Sequence, residues 1–206
     1  MNPDQIPDII ISRLPIYLRA LQRLADQGAQ TTSSQELGNR VGISAAQIRK
    51  DLSQFGEFGK QGTGYHIAFL IKKLQSILRV DRVWDVAILG MGDMGRALAR
   101  YQGFTNRGFH IVMAFDNSPT VIGTKLGSFV VRDAKDIVRD IRGAGIKIAM
   151  LTVPATAAQV ATDKLVQAGV KAILNYAPIS LTVPEGVRVQ YIDPAIGLQR
   201  MAYYLA

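Results

Sequence analysis

The sequence predicts an α/β protein with two folded parts and a final helix. Two helix-capping signals, at Ser33 and Ser44, mark a pair of short helices within the first eighty residues. A glycine-rich turn from Gly90 to Gly95 lies between an apolar run and a helical pattern. Further on, apolar runs alternate with helical patterns, which is typical of a parallel sheet covered by helices. We expect domains at residues 1–80, 81–192 and 193–206.

The composition limits the class of protein. With 206 residues, 48% of them hydrophobic, the chain can bury a core, and it has no cysteine for disulfides, thiolate nucleophiles or cysteine metal sites. No apolar run reaches the roughly 20 residues of a membrane helix, and the N-terminus, with Asp4 and Asp8, lacks a signal peptide's basic region. We therefore expect a cytoplasmic protein.

The net charge of +8 favours an anionic partner. Between Arg40 and Arg79 there are seven basic and two acidic residues, so much of the excess lies in one segment. This segment follows a first predicted helix, RLPIYLRALQRLADQG, with Ser12 as its cap, Pro15 in its first turn and Gly28 at its end. Its apolar stripe consists of Leu14, Leu18, Leu21 and Leu24.

The stretch TTSSQELGNRVGISAAQIRKDLSQFG contains two capping boxes, Ser33-x-x-Glu36 and Ser44-x-x-Gln47, separated by a glycine-containing turn. This pattern indicates a helix-turn-helix, whose second helix lies in the DNA major groove with its N-terminal residues toward the bases. The apolar side is formed by Leu37, Val41, Ile43, Ile48 and Leu52. The polar positions available to DNA are Ser44, Gln47, Arg49, Lys50 and Ser53.

A predicted hairpin follows these helices. In FGEFGKQGTGYH, aromatic residues alternate with glycines around Lys60-Gln61-Gly62, which indicates two strands with a basic tip. A helix-turn-helix followed by such a hairpin is a winged helix. The alternative is an ordinary packing motif with solvated basic residues; the ordered succession of caps, basic face and hairpin favours DNA binding, with Lys60 in the wing.

The apolar run VWDVAIL at residues 83–89 leads into Gly90-Met91-Gly92-Asp93-Met94-Gly95 and then into the helical pattern RALARYQG. In a dinucleotide-binding turn, the first glycine allows the tight turn, the second allows backbone to approach a pyrophosphate, and the third allows close packing of helix and strand. The helix N-terminus binds the phosphates. The six residues are therefore candidate NAD(H) contacts.

A second strand, FHIVMAFD, ends in Asp116, 21 residues after Gly95. This is where the fold places an acid that binds the adenosine ribose hydroxyls. Such a carboxylate repels the extra phosphate of NADP(H), so we expect a preference for NAD(H), with Asn117 beside it. The alternative is that Asp116 is only a turn residue before Asn117.

The remaining chain alternates helix and strand patterns: DAKDIVRDIRGAG, IKIAMLTVP, ATAAQVATDKLVQAG and VKAILNYAP. This predicts a Rossmann-type parallel sheet with helices on both faces. Ligands in such sheets bind beyond the carboxyl ends of the strands. The residues expected near the nicotinamide half are Thr152, Val153, Pro154, Asn175, Tyr176, Ala177 and Pro178.

The final segment, IDPAIGLQRMAYYLA, predicts a helix that starts near Asp193-Pro194. Its apolar residues either cover its own domain or pack against a partner subunit. They are Ile196, Leu198, Met201, Tyr204 and Leu205.

The sequence offers no proton carrier suited to hydride transfer. His66 closes the wing, and His110 begins the second strand, at the end opposite to the ligand. No Ser-His-Asp arrangement or metal cluster is evident, so we expect a regulatory ligand and no enzyme. Three alternatives stay open: an NAD-dependent oxidoreductase with an N-terminal extension, a CoA- or nucleotide-binding domain of a ligase-type enzyme, and a DNA-binding protein with a vestigial nucleotide fold.

Over nearly its whole length the chain resembles the redox-sensing transcriptional repressors called Rex. The matching stretches are SRLPIYLRAL, SSQELG, QIRKDLSQFGEFGKQGTGY, GMGDMGRAL, LTVPA and LNYAP. The resemblance implies a homodimer that binds inverted-repeat operator DNA, is released when the NADH/NAD+ ratio rises, and exchanges its C-terminal helix between subunits.

The same resemblance implies roles for particular residues. Arg49, Lys50 and Lys60 match DNA-contacting positions, and the glycines with Asp116 match the cofactor site. Three further positions match residues that link the DNA-binding and cofactor domains across the dimer: Arg19, Tyr101 and Asp193.

Overall fold

The chain forms two compact units, Met1–Arg82 and Val83–Ala206, in a computed structural model. The structure describes residues 6–60, 64–127 and 129–205, with 59 and 60 described as backbone only. Within these ranges no helix has the length and apolar character needed to cross a membrane. The α/β class, the helix-turn-helix with its hairpin in the first unit and the Rossmann-type sheet in the second, all predicted from the sequence, are confirmed.

The first helix, α1, spans Asp8–Asp26 and begins earlier than the sequence predicted. Pro7 is its N-cap, so the predicted start at Ser12 is wrong, and Pro15 lies inside the helix. The physical reason is the apolar stripe, which already includes the buried Ile10, four residues before Leu14. Burial on both sides of Pro15 offsets the hydrogen bond that a proline removes from a helix. The four predicted stripe leucines are all buried.

The helix-turn-helix consists of α2, Ser34–Val41, and α3, Ala45–Ser53. The hydroxyl of Ser33 accepts a hydrogen bond from the backbone N–H of Glu36 at 3.0 Å, and that of Ser44 accepts one from Gln47 at 3.2 Å. The turn passes through Gly42, whose φ is +71°. A Cβ at Gly38 would collide with the Ile43 carbonyl, so this glycine lets the turn pack against α2. The predicted N-caps are therefore confirmed.

The wing has one strand more than predicted. The predicted hairpin is formed by β2, Gly59–Lys60, and β3, Gly64–His66, and a further strand, β1, Thr31–Thr32, pairs antiparallel with β3. The predicted tip residues Gln61 and Gly62 lie outside the described residues. After β3 the chain enters α4, Ile67–Ile77, a helix that the sequence analysis did not predict and that packs against α1.

The second unit is built on a sheet with the order β10-β9-β8-β4-β5-β7-β6. All its pairings are parallel except that of β6 with β7. The six parallel strands have the 3-2-1-4-5-6 order of a Rossmann fold. The strands are β4 Trp84–Leu89, β5 Phe109–Asp116, β6 Lys125–Leu126, β7 Phe129–Asp133, β8 Ile148–Leu151, β9 Ala172–Asn175 and β10 Arg188–Tyr191.

Helices cover both faces of this sheet. On β4, Ala87 and Leu89 belong to the core that includes residues of α6 and α7, whereas Val86 and Ile88 belong to the core on the other face. Burial on both faces is characteristic of parallel sheets. The helices are α5 Asp93–Arg100, α6 Ile137–Ala144 and α7 Ala155–Ala168.

The last helix, α8, spans Pro194–Ala202 and begins where the sequence predicted. The Asp193 carboxylate accepts a hydrogen bond from the Ala195 N–H at 2.9 Å and caps the helix. Its apolar side chains are exposed in the single chain, Leu198 by 66%. Together with the short 3-10 helix Tyr203–Leu205 that follows it, the exposed set is Ile196, Leu198, Met201, Tyr203, Tyr204 and Leu205. These side chains therefore do not cover their own domain, which was one of the two roles that the sequence analysis left open for them.

Candidate functional site

The glycine-rich turn connects β4 to α5 at the carboxyl edge of the sheet. Gly90 has a φ of +93°, and a Cβ there would lie 2.8 Å from the Thr152 carbonyl. A Cβ at Gly95 would collide with the Gly90 carbonyl oxygen. These two glycines are therefore required by the packing of the protein itself.

Gly92 differs from its neighbours in this turn. It is the N-cap of α5, and a Cβ built there meets nothing within 4 Å. Its φ of −66° is open to any residue. Nothing in the described protein therefore requires glycine at this position, and the space beside it is open to a ligand.

Asp116 ends β5 and binds the turn directly. One carboxylate oxygen, Oδ2, accepts a hydrogen bond from the Met91 N–H at 2.6 Å, and the other accepts one from the Ser118 N–H at 2.8 Å. The second bond is the turn role that the sequence left as an alternative. Asp116 also lines the pocket described next, so the structural role and access to a ligand coexist.

A pocket of about 630 Å³, called here the main pocket, opens at this edge of the sheet. It brings together nine of the predicted cofactor residues: Gly90, Gly92, Asp93, Met94, Asp116, Asn117, Thr152, Val153 and Pro154. The rest of its lining was not predicted and is mainly apolar, namely Leu89, Phe115, Ala134, Ile137, Ala157, Val160, Ala161 and Lys164. The pocket therefore combines a helix N-terminus, a carboxylate and an apolar wall.

Thr152 holds the loop after β8 against the glycine-rich turn. Its hydroxyl lies 2.9 Å from the Leu89 carbonyl oxygen and 2.7 Å from that of Gly90. Thr152, Val153 and Pro154 thus share the main pocket with Asp116, the predicted ribose contact. The sequence analysis had grouped them with the loop after β9.

Six predicted cofactor residues do not line the main pocket: Met91, Gly95, Asn175, Tyr176, Ala177 and Pro178. Asn175 is buried, and its side chain bonds to Ala177 N–H at 2.9 Å and to the carbonyls of Ala177 and Ile179, so it organises its own loop. Burial raises the pKa of the Tyr176 hydroxyl.

The predicted DNA-binding residues on and near α3 have different surroundings. Arg49 and Lys50 are exposed cations, and the Arg49 guanidinium donates to the Ser34 hydroxyl at 2.9 Å. The hydroxyl of Ser44 caps the helix, and that of Ser53 donates to the Lys50 carbonyl at 2.8 Å. Lys60 lies in β2, and only its backbone is described.

A buried acid beneath α3 escaped the sequence analysis. The side chain of Asp51 is fully buried and accepts two hydrogen bonds from the Arg13 guanidinium, at 2.6 and 2.7 Å. The Tyr17 hydroxyl and the Gln47 side-chain amide each donate to it at 2.7 Å. We call these four residues the Asp51 network. The sequence feature that could have revealed Asp51 is its position three residues after Ile48, which places an acid on the apolar side of the helix.

The ionisation of the Asp51 network follows from its geometry. Burial by itself disfavours the charged carboxylate, but the hydrogen bonds from Arg13, Tyr17 and Gln47, with the Arg13 charge, outweigh it and hold the pKa of Asp51 below its usual value. Burial and the hydrogen bond to Asp51 raise the pKa of Tyr17. The network therefore contains a carboxylate paired with a guanidinium at neutral pH.

The three predicted linking residues are divided between the two units, with one in the first and two in the second. Arg19 is exposed on α1, in the first unit. Tyr101 follows α5 in the second unit, is 50% exposed and contacts Phe104 edge to face, with ring centroids 5.0 Å apart. Asp193 caps α8.

Comparisons with known proteins agree with both halves of this description. Residues 5–53 match a family model described as "Putative DNA-binding protein N-terminus", and residues 81–179 match one described as "CoA binding domain". The chain is 50% identical to the redox-sensing transcriptional repressor Rex of Roseiflexus sp. (strain RS-1), over 98% of this chain and 92% of that protein. It is 49% identical to that of Chloroflexus aggregans, over 98% and 96%.

Solved structures extend the similarity to the whole fold. The crystal structure of RSP in complex with β-NAD+ and operator DNA has a TM-score of 0.92 and 37% identity, covering 97% of this chain and 92% of that chain. RSP in complex with β-NADH has a TM-score of 0.89 and 35% identity, covering 97% and 94%. RSP is a Rex-family repressor. The chain therefore belongs to the Rex family of redox-sensing transcriptional repressors.

Proposed function

We propose that this protein is a repressor that binds inverted-repeat operator DNA as a homodimer and is released when NADH binds. The observation that best supports this proposal is that one chain joins a helix-turn-helix with exposed Arg49 and Lys50 to a Rossmann unit whose main pocket is lined by Gly92 and Asp116. Full-length similarity to a protein that binds both β-NAD+ and operator DNA supports the combination. The proposed role places the protein in the cytoplasm, together with chromosomal DNA.

The main pocket fits the adenosine and phosphate parts of a dinucleotide. The open space at Gly92 and the N-terminus of α5 suit a pyrophosphate, because backbone N–H groups and the helix dipole attract anions there. Asp116 can accept hydrogen bonds from the ribose hydroxyls, and the apolar wall suits the adenine ring. When bound, NAD(H) acts as a regulatory ligand.

Asp116 also bears on which adenine cofactor binds. The 2′-phosphate of NADP(H) and the 3′-phosphate of CoA both add negative charge at the adenosine ribose, next to this carboxylate. We therefore expect both to bind more weakly than NADH, although one matching family model carries the description of a CoA-binding domain. NADPH and CoA are accordingly the ligands to compare with NADH.

The nicotinamide ring is the part that differs between NADH and NAD+. We assign its contacts to the loops after Leu151 and Leu174, where Pro154 and half-buried Tyr176 favour the neutral reduced ring over the cationic oxidised one. Substituting Pro154 or Tyr176 should change the ratio of the NADH and NAD+ affinities, and an unchanged ratio would count against the assignment.

The homodimer is supported by the exposed apolar side chains of α8, which a second subunit would cover. In the proposed assembly this helix is exchanged between subunits. Two recognition helices then lie about 34–36 Å apart, which matches successive major grooves of one DNA face. Phosphate and base contacts come from Arg49, Lys50 and Lys60, with Ser44 and Ser53 beside them.

Release requires NADH and operator to favour different arrangements of the dimer, because a ligand shifts an equilibrium only through its differential affinity. We assign the linkage between the DNA-binding domain, residues 1–80, and the cofactor domain, residues 81–192, to Arg19, Tyr101 and Asp193. The C-terminal helix, residues 193–206, connects the subunits.

The proposal is tested by selecting duplexes from the genome of the source organism with the purified protein. Bound fragments are eluted with NADH, NAD+, NADPH, CoA or buffer and then sequenced. The proposal is supported if inverted repeats are retained and NADH elutes them more effectively than NAD+, NADPH, CoA or buffer. Retained DNA that no dinucleotide displaces would refute the sensor function, and turnover of NADH with a carbonyl compound would favour an oxidoreductase.

A further inference from the structure

The Asp51 network joins two helices of the DNA-binding unit. Arg13 and Tyr17 lie one turn apart on α1, and Gln47 and Asp51 lie one turn apart on α3. All four of its hydrogen bonds measure 2.6–2.7 Å. Its centre, Asp51, belongs to the helix that carries the exposed cations.

The geometry restricts rotation of α3 about its own axis. The guanidinium binds both carboxylate oxygens through two different nitrogens, so the pair has one favoured relative orientation. With side chains about 5–6 Å from the helix axis, a rotation of about 20° would move the carboxylate by about 2 Å. Such a displacement breaks hydrogen bonds of this length.

The energetic cost of an unpaired buried charge makes this restriction strong. Asp51 has no exposed side-chain surface, so a rotation that separated it from Arg13 would leave a buried charge without its partner. Unpaired buried charges are strongly unfavourable. The orientation of α3 is therefore held by electrostatics as well as by the apolar contacts of Ile48 and Leu52.

Because Asp51, Arg49 and Lys50 are on one helix, fixing the direction of Asp51 also fixes the directions of the two exposed cations. Lys50 and Arg49 precede Asp51 by one and two residues, so they are rotated from it by about 100° and 200° around the axis. Gln47, four residues before Asp51, returns to nearly the same direction. Its amide nitrogen accordingly donates to Asp51, although the sequence predicted this residue as a DNA contact.

We propose that Arg13, Tyr17 and Asp51 are positioning residues for DNA recognition, which set the rotation of α3 and thereby aim Arg49 and Lys50. The proposal rests on the proposed function as an operator-binding repressor. Base contacts need correct aim, whereas attraction to phosphates depends mainly on charge. Disturbing the network should therefore weaken operator binding much more than binding to a scrambled duplex.

The test uses full-length Arg13→Lys, which keeps the positive charge and loses the bidentate fork. Arg23→Lys is the matched control, because Arg23 is an exposed residue of the same helix. Operator and scrambled duplexes of equal length are titrated without dinucleotide over a series of salt concentrations, and thermal unfolding is recorded for each protein. Tyr17→Phe, which removes one hydroxyl, is measured in parallel.

For Arg13→Lys we expect at least a tenfold rise in the operator Kd, with the scrambled-duplex Kd and its salt slope within about twofold of wild type. Tyr17→Phe should show a smaller change of the same kind, and it decides the matter if Arg13→Lys fails to fold. Arg23→Lys should match wild type.

Unchanged operator preference in folded Arg13→Lys and Tyr17→Phe would overturn the proposal. Equal loss on both duplexes, in parallel with loss of the folded state, would assign the network to stability alone and overturn it too. Wild-type protein without any preference for operator would refute the proposed function and this inference together, which separates that failure from the other two.

Discussion

Gly92 and Gly95 belong to one motif, yet the structure predicts opposite consequences when each is replaced by alanine. At Gly92 the new methyl group meets no protein atom within 4 Å, and the φ of −66° suits alanine. At Gly95 the methyl group would collide with the Gly90 carbonyl oxygen. Gly92→Ala should therefore spare the fold and harm ligand binding, whereas Gly95→Ala should harm the fold.

The stability change of Gly92→Ala is the difference of two small terms. Alanine reduces the freedom of the unfolded chain, which stabilises by about 0.4–1 kcal/mol. It also replaces glycine as the N-cap of α5, which costs about 0.5–1 kcal/mol. The two terms nearly cancel, so the free energy of unfolding should change by less than about 0.5 kcal/mol. Gly95→Ala should lose about 1–3 kcal/mol through overpacking.

The affinity change of Gly92→Ala follows from the phosphate contact. If the methyl group prevents one backbone N–H from reaching a phosphate, the charge-assisted hydrogen bond lost is worth about 1.5–3 kcal/mol. This corresponds to an increase of the NADH Kd by about 10- to 150-fold. Operator binding without NADH should be unchanged, and release of the operator should need correspondingly more NADH.

The assay is calorimetric titration with NADH, combined with thermal unfolding without ligand. Gly143→Ala is the control, because Gly143 lies on α6 with nothing within 4 Å of an added Cβ. It should bind NADH as wild type does. If Gly92→Ala also binds NADH with wild-type affinity while remaining folded, the pyrophosphate does not approach this turn, and the reasoning is refuted.

Four further results are expected. Asp116→Asn should narrow the gap between the NADH and NADPH affinities in calorimetry, and an unaltered gap would place the ribose contact elsewhere. Because the pKa of Asp51 is lowered in the folded protein, its stabilisation is present above the ordinary aspartate pKa of about 3.9 and is lost as pH falls through the folded-state pKa. In urea unfolding, the loss of unfolding free energy in Arg13→Gln relative to wild type should therefore shrink below about pH 4. A loss that stays constant with pH would contradict this. Leu198→Glu should shift sedimentation toward the monomer, and an intact dimer would exclude α8 from the interface. Lys60→Ala should weaken operator and scrambled duplexes alike and reduce the salt slope by about one if Lys60 contacts a phosphate; loss on the operator alone would indicate a base contact.

Elements with long, uniform patterns were predictable from the sequence. The run FHIVMAFD forms β5 over Phe109–Asp116 as predicted, because seven consecutive residues, six of them apolar, precede the acid. The predicted caps at Ser33 and Ser44 are also found, and α8 starts at the predicted Asp193-Pro194, since helix starts depend on residues only two or three positions apart.

Short or ambiguous elements were not predictable in this way. The strand β1 has two residues and exists only because β3 pairs with it. The start of α1 was misplaced because Ser12 resembles a cap, whereas the position of Ile10 on the buried stripe decides where the helix begins. Tertiary contact, and not local preference, determines both cases.

The same distinction between local patterns and tertiary contacts applies to the functional site. Local spacing identified the glycine-rich turn and Asp116, because both are defined within one strand-turn-helix-strand unit. It could not pair Asp51 with Arg13, which lies 38 residues earlier on another helix. It also could not show that Thr152 shares a pocket with Asp116, since that depends on the adjacency of β4 and β8 in the sheet.

The central claim is that NADH and operator exclude each other on one molecule. The most direct measurement is the NADH Kd of the protein with and without saturating operator duplex, alongside the operator Kd with and without saturating NADH, at one fixed salt concentration. Because coupling is reciprocal, both values should rise by the same factor, within the range of about 5- to 150-fold usual for allosteric proteins. An operator Kd that saturating NADH leaves unchanged, with NADH bound, would contradict the account.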